Sequence, residues 1–217
     1  MSKNKFSGQR DSRLDYSIAI RNLDTFSSLG EADLPGWINR SFLNHSPFFL
    51  AADDFANFRD FAAELLEVEF HDIWCTGSGS LGFSLNPGKI SEGGSPRLFG
   101  TASDIDMAII SELKFEAAWR DMQRKYRHAR RGLEEGAKKD YTMTRNRIFD
   151  GCFRADLLLS SPTLGEDWGG VANKLSARAS ELINRNITAK FWIFRDMWSL
   201  RNYVQEGAMA MLIKVKK

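Results

Sequence analysis

Asp104 and Asp106 stand two positions apart in Ser103-Asp104-Ile105-Asp106-Met107-Ala108-Ile109-Ile110, a run rich in strand formers. In a strand, residues i and i+2 share a face. Both carboxylates are therefore expected to project together, with Ile105, Met107 and Ile109 on the opposite side. Two carboxylates side by side repel, and each makes the other harder to ionise. A divalent cation that favours oxygen ligands, Mg²⁺ or Mn²⁺, removes that penalty. A third carboxylate, Asp156, lies among apolar residues in Phe153-Arg154-Ala155-Asp156-Leu157-Leu158-Leu159. Three aspartates holding two such ions suit an in-line displacement at phosphorus, because the ions stabilise the entering and leaving oxygens.

Upstream of the aspartates, Gly77-Ser78-Gly79-Ser80-Leu81-Gly82 follows a short apolar run. The stretch fits G-x-G-x-x-G, but a dinucleotide-binding turn must open a long helix. Here Pro87, Gly88, Gly93, Gly94 and Pro96 follow too soon. A protein-kinase glycine loop would need a catalytic-loop Asp and a D-F-G, and neither is present. A P-loop fails at Gly88-Lys89-Ile90, where the spacing is wrong and Ile replaces Ser or Thr. The remaining use is as a phosphate cradle for the aspartate site. Backbone N–H groups and the Ser78 hydroxyl can approach phosphate closely where glycine has no side chain.

Together these residues resemble the nucleotidyltransferase superfamily of the polymerase-beta type. The matching elements are Gly77-Ser78, Gly82, Asp104-Ile105-Asp106 and Asp156. Ser103-Asp104-Ile105-Asp106, preceded by Gly100-Thr101-Ala102, is similar to the bacterial antiviral-defence and second-messenger synthase branch. The resemblance covers roughly residues 54–160. It implies that Asp104, Asp106 and Asp156 are the catalytic, metal-binding residues. It also implies that Gly77, Ser78, Gly82, Ser103 and Arg154 bind the nucleotide. Two departures stand out. Ser78 and Asp104 are 26 positions apart, about twice the family's usual separation, so residues 84–99 form an insertion beside the phosphate site. That leaves Gly79-Ser80 as an alternative to Gly77-Ser78. Only 61 residues follow Asp156, enough for a small helical lid.

The formal net charge is +2, from 30 basic and 28 acidic side chains, which excludes a uniformly basic nucleic-acid coat. The charge is nevertheless uneven. Residues 120–147 carry ten basic and four acidic side chains. This is either a solvated helix face or a groove for the phosphates of an oligonucleotide acceptor. Arg145, Arg147 and Arg154 lie near Asp156 in sequence and are either within reach of a triphosphate or surface ladder residues; Lys190, Arg195 and Arg201 either bind it from above or mark a plain amphipathic helix. Trp192, Phe194 and Trp198 are candidates for a base pocket, although large aromatics also dominate ordinary cores. His45, His71, His128, Cys75 and Cys152 show no zinc spacing.

The elements that must position these groups follow from periodicity and breakers. Helices are expected from Leu14 to about Leu29, after a cap at Asp53 or Asp54, over 114–135, over 171–184 and over 188–205. Strands are expected at His71–Thr76, Ile105–Ile110, Thr142–Phe149 and Cys152–Ser160. Asp150-Gly151 is the hairpin turn between the last two. Residues 30–52 are loop-like. The class is α+β: a small mixed sheet core with flanking helices and a short C-terminal helical lid. The expected division is an N-terminal helical and loop segment (1–52), a nucleotidyltransferase core (53–165) and a C-terminal helical segment (166–217). The 217 residues hold two cysteines, no apolar stretch near the ~18 residues of a membrane span and no hydrophobic leader. A cytoplasmic protein without membrane contact is expected.

The expected activity is metal-dependent transfer of a nucleotide from a nucleoside triphosphate to a hydroxyl acceptor. The acceptor of first choice is another nucleotide or an oligonucleotide, made without a template as a signal in antiphage defence, with a partner effector protein. The alternatives are a toxin-type transferase acting on a protein or tRNA, and a catalytically silent nucleotide-binding regulator.

Overall fold

Strand β2 (Ile105–Ile110) sits inside a four-stranded mixed sheet of order β1-β2-β4-β3. Strand β1 (Ile73–Thr76) runs antiparallel to it, β4 (Ala189–Phe194) runs parallel, and β3 (Cys152–Arg154) pairs antiparallel with β4. The helices are α1 (Tyr16–Ser28), α2 (Leu34–Ser41), α3 (Ala52–Leu66), α4 (Gly77–Leu81), α5 (Glu112–Ala129), α6 (144–149), α7 (Trp168–Ile183) and α8 (Met197–Val215). The computed structural model describes residues 11, 13–42, 46–91, 94–129, 142, 144–155, 158 and 160–216.

The alternation of the strands divides the core in two. Ile105, Met107 and Ile109 face the layer of α3, α5 and α7, where they meet Phe58, Phe115 and Leu175. Ala108, Cys152 and Phe194 face the layer of α1, α2 and α8, with Phe26, Trp37 and Leu212. All of these side chains are buried, and each large one contributes about 1.5–3 kcal/mol by leaving water. The fold is therefore α+β, with helices on both faces of a small mixed sheet and a C-terminal helix, as expected.

Three local expectations are corrected. Residues 144–149 form a helix, not a strand, so Asp150-Gly151 does not turn a hairpin. Gly151, at φ +74°, ends that helix: its N–H and that of Asp150 bond back to Ile148 O and Asn146 O. A left-handed glycine suits a helix C-terminus as well as a hairpin turn. Second, residues 189–194 of the expected helix over 188–205 form β4, and the helix begins at Met197 after the Asp196 cap, whose carboxylate accepts from Ser199 N at 2.7 Å. The C-terminal segment thereby contributes an inner strand. Third, α2 occupies part of the expected loop, with Pro35 in its first turn, where its missing N–H costs nothing. A smaller difference concerns α3: Ala51 is its N-cap, while Asp53 and Asp54 sit in its first turn. Among the described residues, no helix is long and apolar enough to cross a membrane.

Candidate active site

The ladder sets out the floor of the site in rows. Thr76 pairs with Asp106, and Asp106 with Lys190, so these three form one row across β1, β2 and β4. The next row on the same face is Trp74, Ala108, Trp192 and Arg154. Tyr203 of α8 packs on the further end of this face, its ring 5.3 Å from that of Trp192 and 5.5 Å from that of Phe194. Between α8 and these rows lies a cleft of about 600 Å³, lined by Thr76, Asp106, Lys190, Trp192 and Arg154.

Its charged side is formed by Asp104, Asp106, Lys190 and Arg154, with Gly77 and Ser78 at the start of α4. Its other side is formed by α8, through Tyr203, Glu206 and Gly207, and by the insertion, through Asn86, Pro87 and Lys89. The insertion is folded back on itself. Phe83 bridges to Leu98 and Ile90 to Pro96, and Ser84 N and Arg97 N donate to Arg97 O and Lys89 O. Lys214 of α8 ties the insertion to that helix by donating to Pro87 O at 2.7 Å.

The two central aspartates share the cleft but not an environment. Burial opposes ionisation of Asp104, yet the hydrogen bond and charge of Lys190, whose Nζ lies 2.6 Å from Oδ2, hold it below the usual carboxylate range. Asp106 is pushed up, first by burial and then by the charge of Asp104, against the pull of Lys89, Lys190 and Arg154. Asp106 therefore carries the unrelieved part of the repulsion between the pair.

Gly77 explains how the glycine turn comes so near. Its φ is +64°, and a Cβ there would fall 2.8 Å from Asp106 Oδ2. Only a residue without a side chain lets β1 turn into α4 against that carboxylate. Thr76 Oγ1 donates to Asp106 O at 3.1 Å and braces the strand from the other side.

Of the residues expected in the site, Gly77, Ser78, Asp104, Asp106 and Arg154 come together on the cleft. Gly79 and Ser80 turn the other way, their carbonyls accepting from Phe49 N and Phe48 N, so Gly77-Ser78 is the pair on the cleft. Gly82 is not on the cleft. It closes α4 in the left-handed region at φ +85°, where a Cβ would fall 2.5 Å from Ala19 Cβ. Ser103 is buried and its hydroxyl accepts from Gly100 N at 3.0 Å, so it shapes the turn into β2. Asp156 lies outside the described residues. Among the described residues, no group of three His, Cys, Asp or Glu side chains converges as a metal site.

The other candidates divide in the same way. Lys190 and Arg147 line the cleft, and Arg147 stands 5.2 Å from the Tyr203 ring centre. Trp192 also lines it, with Arg154 at 5.7 Å. Phe194 is core, Trp198 is exposed to solvent, and Arg195 pairs with Asp196 at 3.1 Å. Lys89, Glu206 and Gly207 were not singled out by type or spacing; only the place of Lys89 in the insertion offered a signal. No family model, curated protein or solved structure matches this chain.

Proposed function

We propose that this protein is a divalent-cation-dependent nucleotidyltransferase. The observation that carries the reading is the meeting of Asp104 and Asp106 with Gly77-Ser78 on one cleft that also holds Lys89, Arg147, Arg154 and Lys190. Four cations stand among three carboxylates, Asp104, Asp106 and Glu206, an arrangement that suits a ligand bringing its own negative charge together with a metal ion. The donor set suits Mg²⁺ or Mn²⁺, because hard oxygen ligands are offered and Asp106 is held above its ordinary value by burial and by Asp104. Asp104 and Asp106 would hold the ion, with Asp156 the third ligand implied by the family resemblance. The chemistry such an ion supplies is stabilisation of charge on the oxygens of an in-line displacement.

The chain's own residues do the rest. Ser78 and the Gly77 backbone bind the outer phosphates, and Lys89, Arg147 and Arg154 balance their charge. The acceptor hydroxyl oxygen attacks the α-phosphorus, the bond to the bridging oxygen breaks, and pyrophosphate leaves. Asp156 takes the hydroxyl proton, directly or through water. The acceptor is the hydroxyl of another nucleotide or an oligonucleotide, in a cytoplasmic signalling role with an effector partner. A second reading, a silent nucleotide-binding regulator, is favoured by one contact, the Lys190 ammonium on Asp104.

Incubation with each α-labelled ribo- and deoxynucleoside triphosphate plus Mg²⁺ or Mn²⁺ separates the two. Product formation with pyrophosphate release, lost in Asp104→Ala and Asp106→Ala, is expected. Nucleotide binding without pyrophosphate release would establish the silent regulator, and undiminished turnover in the variants would remove both aspartates from the mechanism.

A further inference from the structure

Helix α6 has two working faces. Arg147 points to the cleft described above, while Arg145 and Ile148 line a separate groove against α5. The groove measures about 410 Å³ and takes Trp119, Tyr126 and Arg127 from one face of α5. These α5 positions recur at seven- and eight-residue intervals, which a helix brings to the same side.

Three features of this groove call for a ligand of particular chemistry. Trp119 is 38% exposed, whereas Phe115, Met122 and Tyr126 on the same helix are buried. Among the described residues, no acidic side chain lines the groove. Among the described residues, neither Arg127 nor Arg145 has a hydrogen-bond or ion-pair partner, although Arg124 nearby is taken up by Asp121 and Thr163. Among the described residues these are two unneutralised guanidiniums facing one groove; their mutual repulsion is removed by a polyanion.

The aromatic residue distinguishes among polyanions. A sulfated polysaccharide would use the arginines and leave the indole idle. A duplex would offer phosphates but keep its bases stacked and out of reach. A single strand offers both, because unpaired bases stack on aromatic side chains while Arg and Lys track the backbone.

We infer that the groove between α5 and α6 binds single-stranded nucleic acid, with one base on Trp119 and neighbouring phosphates on Arg127 and Arg145. Because α6 lines both groove and cleft, a strand held here lies across one helix from the cleft. The inference goes beyond nucleotide transfer and does not depend on it, since binding is read without turnover.

The test is fluorescence anisotropy of the full chain with labelled oligo(dT) and oligo(rA), about a dozen nucleotides long. Duplex of matching length and heparin serve as competitors. Both single strands are expected to bind, and to outcompete duplex. Arg127→Glu/Arg145→Glu is expected to weaken binding at least about tenfold, and to reduce the slope of log K against log salt by about 1.4, two phosphates at about 0.7 each. Trp119→Ala is expected to weaken binding about tenfold with the slope unchanged, and Trp119→Phe to restore most of it. Arg145→Gln gives a milder second variant, with about half the change in slope, and thermal unfolding checks that each variant folds. Absence of single-strand binding, equal binding of duplex or heparin, or indifference to both sets of variants would overturn the inference. Nucleoside triphosphate binding measured on the same variants is expected to be unchanged, so that the groove and the cleft stand or fall separately.

Discussion

The ammonium of Lys190 lies 2.6 Å from Asp104 Oδ2, although the ladder partner of Lys190 is Asp106. The diagonal contact gives Asp104 a counter-charge and leaves Asp106 with less of one. Burial pushes both carboxyls up; Lys190 outweighs it at Asp104 but not at Asp106, so the two aspartates move in opposite directions from the ordinary carboxylate value.

Lys190 and a bound cation would compete for the same oxygen. Lys190→Met is expected to tighten Mn²⁺ binding by up to about fivefold, the scale of a partly exposed ion pair. It is also expected to weaken triphosphate binding about tenfold or more, the scale of a charge-assisted hydrogen bond. Calorimetric titration with Mn²⁺ alone, then with nucleotide, measures both. Unchanged Mn²⁺ affinity would show that Lys190 does not compete.

Asp106 gives a pH signature. Its pKa is raised in the folded chain by burial and by Asp104, so the protonated form favours folding. That contribution is complete below the ordinary value of 3.8 and is lost as pH rises through the raised value. Above it, the half-buried charge opposes folding. In EDTA at neutral pH, Asp106→Asn is expected to raise Tm by about 2–4 °C, on the order of 1 kcal/mol for a chain of this size. The gain should disappear as pH falls toward 3.8. Adding Mn²⁺ should raise Tm in the natural chain but not in the variant.

Gly77→Ala places a methyl group 2.8 Å from Asp106 Oδ2 and forces alanine to φ +64°. The expected cost is about 1–2 kcal/mol from the left-handed backbone alone. Displacing the carboxylate by even part of an ångström is expected to lower turnover about a hundredfold. Denaturant unfolding and pyrophosphate release read the two effects separately.

The site was legible where its parts are local in sequence. Asp104 and Asp106 share a face because strands alternate, and the period survived into β2 with the expected boundaries. Gly77-Ser78 follows directly on β1. What the sequence hid is what the sheet brings together. Lys190 and Trp192 sit in a run, Ala189 to Phe194, whose apolar character fits a buried strand and a buried helix equally well. Its burial between β2 and β3 decides for strand. The Asp150-Gly151 signal was real but ambiguous, because a glycine with positive φ also ends a helix, and α6 supplied the helix. Once the strand reading of 142–149 is replaced, Arg145 and Arg147 fall on different sides of α6, and a single basic segment becomes two surfaces.

Tyr16 offers a test of how far the site depends on its support. Its hydroxyl donates to Phe99 O at 2.8 Å and accepts from Asp11 N at 2.9 Å. The Asp11 carboxylate pairs with Arg185 at 3.1 Å, and Arg185 donates to Thr101 O at 2.8 Å. The turn that delivers Asp104 to the cleft is thus held from α1 and from the end of α7. Tyr16→Phe leaves two buried backbone groups without this partner, and is expected to cost about 1–3 kcal/mol in denaturant unfolding. Because the turn is loosened and the cradle proposed at Gly77 and Ser78 is not, kcat should fall while KM for the triphosphate stays nearly constant. Combined with Arg185→Ala, the losses should be less than additive, since both changes release the same turn. A destabilised Tyr16→Phe chain with unchanged kcat would show that the turn holds the fold but not the reacting geometry.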